Sequence, residues 1–95
     1  MGLLLMFRLT NNLAESDFFI QLKGKHSGRP LKTHIPNSIG IACNPQLLDA
    51  GFFFYVVQYL FMEGRFLPYI KGSVIPYIRH EDIRKVISSH FMTDI

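Results

Sequence analysis

The chain has 95 residues, of which 48% are hydrophobic and 18% charged. This length suits a single domain, because two separate cores would each be too small to be stable alone, and the composition excludes a disordered tail. Ten Lys and Arg against seven Asp and Glu give a net charge of +3, a surplus too small to identify a polyanion-binding protein by itself. We predict one domain over residues 1–95, with residues 1–12 as either a loosely ordered segment or a strand.

The first well-defined element is a strand over residues 18–23. Phe18, Ile20 and Leu22 share one face and polar residues follow on the other, a period of two that is typical of a half-buried strand. Residues 24–30 combine Gly, Ser and Pro with basic side chains. This composition predicts a surface turn or loop.

A second strand and a long helix follow. Residues 38–43 predict a strand in which small residues leave room for another backbone. Asn44 is a favourable N-cap and Pro45 a favourable first helical residue, so we expect a helix over about residues 45–63 that ends at Gly64. Because this helix is apolar around nearly its whole circumference, including its aromatic residues, we expect it to be sandwiched between other layers.

The C-terminal third predicts an extended segment and a second helix. Pro76 within residues 74–79 favours an edge strand or a bulge. Glu and Asp near His80 are typical of a helix start, and Arg84 and Lys85 point away from the apolar face. That face consists of Ile83, Val86, Ile87, His90 and Phe91. The order of elements predicts an α+β domain, with a small, mainly antiparallel sheet packed against the long apolar helix and a C-terminal amphipathic helix.

The sequence contains no recognisable catalytic or metal-binding set. The four His residues and the single Cys43 lack zinc-ligand spacing, and Cys43 lies in an apolar stretch, where cysteine usually acts as a small hydrophobic residue. We therefore expect no enzyme activity, no metal and no cofactor. An unpaired Cys indicates a reduced, cytoplasmic protein. The most apolar run, residues 51–62, is too short for a membrane span, which needs roughly twenty residues.

A basic stretch suggests a binding function. No acidic residue lies between Asp17 and Asp49. The Gly-rich segment 24–29 lacks the spacing of a nucleotide P-loop, yet such a loop can hold phosphates through basic side chains and N–H groups. It is also typical of a solvated hairpin tip. Our leading hypothesis is a nucleic-acid-binding or nucleic-acid-associated module that contacts DNA or another polyanion through Lys23, Lys25, Arg29, Lys32, Lys71 and Arg79, with help from Arg84 and Lys85. Tyr69 and Tyr77, beside Lys71 and Arg79, are the candidates for exposed aromatic contacts.

The alternative hypothesis is a protein-interaction domain or homodimer without nucleic-acid binding. So many aromatic residues in a short chain indicate that a partner covers part of the surface. An exposed edge at residues 74–78 is one place where two copies could pair.

Two resemblances to known families accompany these patterns. Over roughly residues 17–87 the chain resembles a family of small uncharacterised proteins from Bacteroides and relatives, most specifically in Gly72-Ser73-Val74-Ile75-Pro76-Tyr77-Ile78-Arg79, and also in Phe18-Phe19-Ile20, Lys23-Gly24, Ser27-Gly28-Arg29-Pro30-Leu31 and Pro36-Asn37. A second set of motifs comprises Asn44-Pro45, Leu48-Asp49, residues 52–60, Gly72-Ser73, Ile75-Pro76 and His80-Glu81-Asp82-Ile83. Through these motifs, residues 39–87 are more weakly similar to the latter part of a target-recognition domain in type I restriction-modification specificity subunits. The second resemblance implies DNA association, but the chain lacks that family's spacer helices and its second domain.

Overall fold

The computed structural model describes residues 6–92. The α+β prediction is confirmed: one antiparallel sheet has the strand order β1-β4-β2-β3 and packs against helices. The strands are β1 (Phe7–Thr10), β2 (Phe18–Gln21), β3 (Pro30–Leu31) and β4 (Ser38–Cys43), and the helices of the described part are α1 (Ala50–Met62) and α2 (His80–Met92). Short 3-10 turns lie at Leu13–Glu15 and Leu67–Tyr69. The part of the N-terminal prediction that concerns residues 1–5 lies outside the described residues.

One face of the sheet forms the core. Phe18 lies opposite Ile41 in the β2–β4 register, and Ile20 lies opposite Ile39. All four side chains are buried in one cluster with residues of α1 and α2. Since alternate residues of a strand point to opposite faces, both helices lie on the same side of the sheet.

The opposite face is partly covered by the chain between β1 and β2. A Cβ atom at Gly40 would overlap the Ser16 hydroxyl, which confirms that a small residue in this strand admits close packing. Arg8 on β1 and Glu15 form an exposed ion pair at 2.6 Å.

Helix α1 begins later than predicted. Its N-cap is Asp49, whose Oδ2 accepts the Phe52 N–H at 2.8 Å, whereas Asn44 accepts the Gln46 N–H at 3.1 Å and shapes a separate turn. The predicted end is confirmed. Gly64 has φ +75°, and its N–H donates to the Phe61 carbonyl at 3.0 Å, as in a Schellman motif.

The expectation that α1 is sandwiched is wrong for the described part of the chain. Phe53, Val57 and Leu60 are buried against the sheet, but Phe52 and Tyr55 are among several large residues exposed on the other side. Because α2 packs on the same face of the sheet, it adds no layer over α1.

The extended C-terminal segment is a hairpin rather than a strand edge. Tyr77 makes backbone bridges to Lys71 on one side and Lys23 on the other. Helix α2 buries Ile83, Val86 and Ile87, as their spacing predicts, while His90 and Phe91 of the same face are half-buried. Within residues 6–92, no helix combines the length and apolarity needed to cross a membrane.

Candidate nucleic-acid interface

The Gly-rich hairpin between β2 and β3 is anchored to the core by a bulge. The Gly28 N–H donates to the Gln21 carbonyl at 2.8 Å, and the Gln21 N–H donates to the Arg29 carbonyl at 2.9 Å. Gly28 and Arg29 therefore lie opposite the single residue Gln21. Gly28 has φ +98°, so this is the geometry of a G1 bulge. A Cβ atom on Gly28 would lie 2.8 Å from Phe66 Cγ.

The backbone of this hairpin is largely committed to internal hydrogen bonds. Ser27 is fully buried, and its hydroxyl donates to the Gly24 carbonyl at 2.6 Å. The N–H groups of Gly24, Ser27 and Arg29 donate to backbone carbonyls of the protein. Any phosphate contact here therefore depends on side chains, not on a cradle built from these N–H groups.

The Tyr77 backbone pairs with the backbone of Lys23 on one side and of Lys71 on the other. We call these three residues the ladder. The Lys71 and Tyr77 N–H groups donate to each other's carbonyls, both at 2.9 Å, while bonds from Gly24 to Pro76 and from Ile78 to Leu22 bracket the Lys23–Tyr77 pair. Directly opposite residues of antiparallel segments project to the same face, with Cα atoms about 4.5–5.5 Å apart. Both lysines therefore flank Tyr77 on one face.

This ladder faces away from the helices. Ile78, the next residue along the chain, is buried in the core cluster, so Tyr77 projects to the opposite face. Lys23, Lys71 and Tyr77 are all exposed, and Tyr77 keeps 38% of its surface accessible. The ladder is thus open to a ligand.

A glutamine links the ladder to Arg29. Arg29 Nη2 donates to Gln21 Oε1 at 3.3 Å, and Gln21 Nε2 donates to the Lys23 carbonyl at 2.8 Å. Gln21 was not among the residues singled out from the sequence. The signal was present, because Gln21 and Lys23 are two apart on one strand and so share a face.

Lys32 lies farther along the same edge, beside α1. Its Nζ is 5.3 Å from the centre of the Phe54 ring, within the range of a cation–π contact. An open groove of about 490 Å³ runs between β3 and α1, with Arg29, Lys32 and Tyr55 among its lining residues. We call Lys71, Tyr77, Lys23, Arg29 and Lys32 the basic band.

The remaining predicted site residues lie outside the band or are already paired. Lys25 borders a small apolar cleft of about 160 Å³ near Met62. Arg79 Nε donates to Asp82 Oδ2 at 3.0 Å, a bond that lowers the pKa of the buried Asp82 carboxyl. Arg84 and Lys85 are exposed on α2. Within residues 6–92, no carboxylate forms a salt bridge with a cation of the basic band.

Comparison with known proteins places the chain in a family. A model of the family of unknown function DUF6943 matches residues 4–94. The chain belongs to DUF6943. This confirms the expected membership of an uncharacterised small family, and the DUF6943 match includes all five residues of the basic band. No curated protein and no solved structure matches the chain.

Cys43 of this DUF6943 member has the environment of an unreactive thiol. It lies half-buried in a cleft bordered by Asp17 and Asp49, and the Asp17 carboxylate accepts the Cys43 N–H at 2.8 Å. Burial, reinforced by both carboxylates, raises the pKa of the thiol to about 12. Among residues 6–92 no cluster of His, Cys, Asp and Glu could hold a metal ion.

Proposed function

We propose that the protein is a non-enzymatic nucleic-acid-binding module whose binding surface is the basic band. The observation that carries this proposal is the placement of Lys23 and Lys71 on either side of exposed Tyr77, on the face of the sheet opposite the helices. Arg29, held beside Lys23 by Gln21, extends the positive surface toward Lys32.

The chemistry of the ladder favours single-stranded nucleic acid. Two lysines about 10 Å apart across the ladder can each contact a different phosphate of one strand. The tyrosine ring between them offers a stacking surface for an unpaired base, a contact that duplex DNA does not provide without distortion. The resemblance of residues 39–87 to a target-recognition domain also supports nucleic-acid binding. It includes Gly72-Ser73, the turn that joins Lys71 to the segment carrying Tyr77.

Fluorescence anisotropy tests the proposal with a labelled single strand and a duplex of the same sequence, each measured over a series of salt concentrations. The variant Lys23→Gln/Lys71→Gln removes two charges from the ladder. We expect its affinity for the single strand to fall at least about tenfold, and the dependence of log K on log salt to become shallower by about 1.4, or 0.7 per lost phosphate contact.

The matched control is Arg84→Gln/Lys85→Gln, which lowers the net charge by the same amount at exposed positions on α2 outside the band. We expect this control to bind nearly as tightly as the wild type. Tyr77→Ala should weaken the single strand more than the duplex, by about 1–3 kcal/mol for a lost stacking contact. Equal losses in both double variants, or no salt-dependent binding by the wild type, would contradict the proposal.

The absence of enzyme activity, which is part of the proposal, has its own test at Cys43. A thiol with a pKa near 12 is almost entirely protonated at neutral pH, and only the thiolate is an effective nucleophile. We expect iodoacetamide to modify the native protein at least about a hundredfold more slowly than the urea-unfolded chain. Rapid alkylation of the native protein at neutral pH would revive a catalytic interpretation.

A second function, contact with another protein, is favoured by the exposed apolar side of α1. The hairpin at residues 71–77 is a weaker candidate for such contact, because the Tyr77 backbone is already bridged on both sides.

A further inference from the structure

Helix α1 carries a solvent-facing apolar stripe as well as a buried one. Phe52, Tyr55, Tyr59 and Met62 are respectively 59%, 62%, 50% and 75% exposed. Successive members are three, four and three residues apart, so they lie along one side of the helix. Within residues 6–92 no element packs over this stripe to the extent of burying it.

The spacing of the residues in the stripe is symmetric about its middle. Reading three, four, three in reverse gives the same order, so a second α1 running in the opposite direction presents a matching pattern. At a rise of about 1.5 Å per residue, an antiparallel pair centred on Val57 sets Tyr55 level with Tyr59 of the second copy. Phe52 is then level with Met62 of the second copy. Such a two-fold contact uses the same patch on both chains.

The charges around the stripe fit the same arrangement. No charged residue occurs between Asp49 and Glu63, so two copies of the helix meet without repulsion along their length. Asp49 and Arg65 are both exposed, and each lies eight residues from Val57. At each end of the antiparallel pair, Asp49 of one copy lies near the end of α1 of the other copy, where Glu63 and Arg65 carry opposite charges, so the ends are mixed in charge and the apolar middle is uncharged. A strongly acidic or basic partner would find no matching charge along the helix.

The exposed area is sufficient for a specific contact. Leu67, which is 67% exposed, lines a cleft together with Met62 at the end of the stripe. With about 200 Å² per large side chain, the stripe and Leu67 expose roughly 600 Å² on one chain. Two such patches amount to roughly 1,200 Å², at the lower end of the range of specific interfaces.

We propose that the protein forms a two-fold symmetric homodimer in which the exposed stripe of α1 packs antiparallel against the same stripe of a second copy. The two-fold axis passes at the level of Val57, whose own side chain lies in the core. This inference does not depend on nucleic-acid binding, because the Lys23–Tyr77–Lys71 ladder lies on the opposite face of the sheet, although the groove that Arg29 and Lys32 line extends to Tyr55 of the stripe. The dimer also accounts for an apolar helix that the described part of the chain covers on one side only.

The test is the molar mass of the full chain, measured by light scattering and by sedimentation over a range of concentrations. We expect the wild type to approach twice the 11.0 kDa of one chain. Phe52→Lys and Met62→Glu each place two unpaired charges in the interface, so either variant alone should dissociate at least about tenfold more readily. In an equimolar mixture of the two variants, one Lys faces one Glu while Phe52 of the other chain faces Met62, and we expect dimerisation to recover.

Recovery in the mixture is specific to the proposed register, because positions 52 and 62 are about 15 Å apart along one helix and cannot pair within a chain. Val74→Glu is the matched control, since Val74 is 89% exposed but lies in the 71–77 hairpin. It should leave the mass unchanged, and far-ultraviolet circular dichroism should show that all variants are folded. A monomeric wild type, dissociation by Val74→Glu, or no recovery in the mixture would overturn the proposal.

Discussion

Close packing between Gly28 and the Phe66 ring holds the basic hairpin against the core. The φ of +98° at Gly28 disfavours any side chain, and an added Cβ would lie only 2.8 Å from Phe66 Cγ. We therefore expect Gly28→Ala to lower the free energy of unfolding in urea by about 1–3 kcal/mol. Gly51→Ala is the control, because Gly51 is an exposed helical residue without a positive φ; its added Cβ would lie 3.3 Å from Asp49 Oδ2, so stability should change by no more than about 0.5 kcal/mol. Equal effects of the two substitutions would refute this account of the bulge.

In the hairpin that contains Ser27, the sequence predicts the turn but not the burial of its residues. Gly, Ser, Pro and basic side chains correctly indicated a turn, because those preferences are local. Ser27 is fully buried and its neighbour Gly28 packs on Phe66, nearly forty residues later in the chain; no local pattern contains that information. The same limit applies to Lys23 and Lys71, whose neighbours across the ladder are set by tertiary pairing.

The N-cap of helix α1, Asp49, can be tested directly by substitution. Asp49→Ala removes the acceptor of the Phe52 N–H, and we expect it to cost about 1 kcal/mol of stability with some loss of helical circular dichroism. Asn44→Ala affects only the preceding turn and should cost less, with no change in helicity. The reverse order of effects would place the helix start at Asn44, as the sequence alone suggests.

The start of helix α2 predicts a dependence of stability on pH. Asp82 is nearly fully buried, and the hydrogen bond from Arg79 lowers its carboxyl pKa in the folded protein. The unfolded chain, with a pKa near 3.9, therefore takes up the proton first as the pH falls. The stabilising contribution is complete above about pH 5 and is lost as the pH drops through the unfolded and then the lower folded value.

Urea unfolding at about pH 6 and about pH 3 measures this contribution. The wild type should lose more stability between the two values than Asp82→Asn does. Glu81→Gln is the control, because Glu81 is exposed and lies 3.8 Å from Arg79, so its acid dependence should resemble the wild type. An unchanged acid dependence in Asp82→Asn would show that the Arg79–Asp82 pair is not its source.

Prediction of the elements succeeded where the pattern is local and failed where pairing is distant. Residues 38–43 alternate clearly and form β4 as expected. Strand β3 has only Pro30 and Leu31, and it exists because the bulge at Gly28 aligns these residues with β2. For α1, hydrophobic periodicity indicated that both sides avoid water, but it could not distinguish a side covered by the protein's own sheet from one left to a partner.

At the scale of the whole molecule, the ladder and the α1 stripe lie on opposite sides, and Arg29 and Lys32 of the basic band lie between them in a groove that extends to Tyr55. The sheet separates the Lys23–Tyr77–Lys71 ladder from the helices, and the exposed stripe of α1 lies beyond the helices' contact with the sheet. In a dimer joined through α1, the two ladders therefore face outward and away from each other. A short strand bound to one ladder cannot reach the other, so simultaneous binding should give no avidity.

This geometry predicts one short single strand per chain in the dimer and in the monomeric Met62→Glu variant alike. Their affinities should agree within about twofold, since the substitution leaves the ladder intact and linkage through a short strand is impossible. Titration calorimetry with an oligonucleotide of about ten residues gives both the ratio and the affinity. The complementary variant, Lys23→Gln/Lys71→Gln, should lose binding but keep the dimeric mass. One strand per dimer, or a large loss of affinity for the short strand in Met62→Glu, would mean that the two ladders act together and that the outward arrangement is wrong.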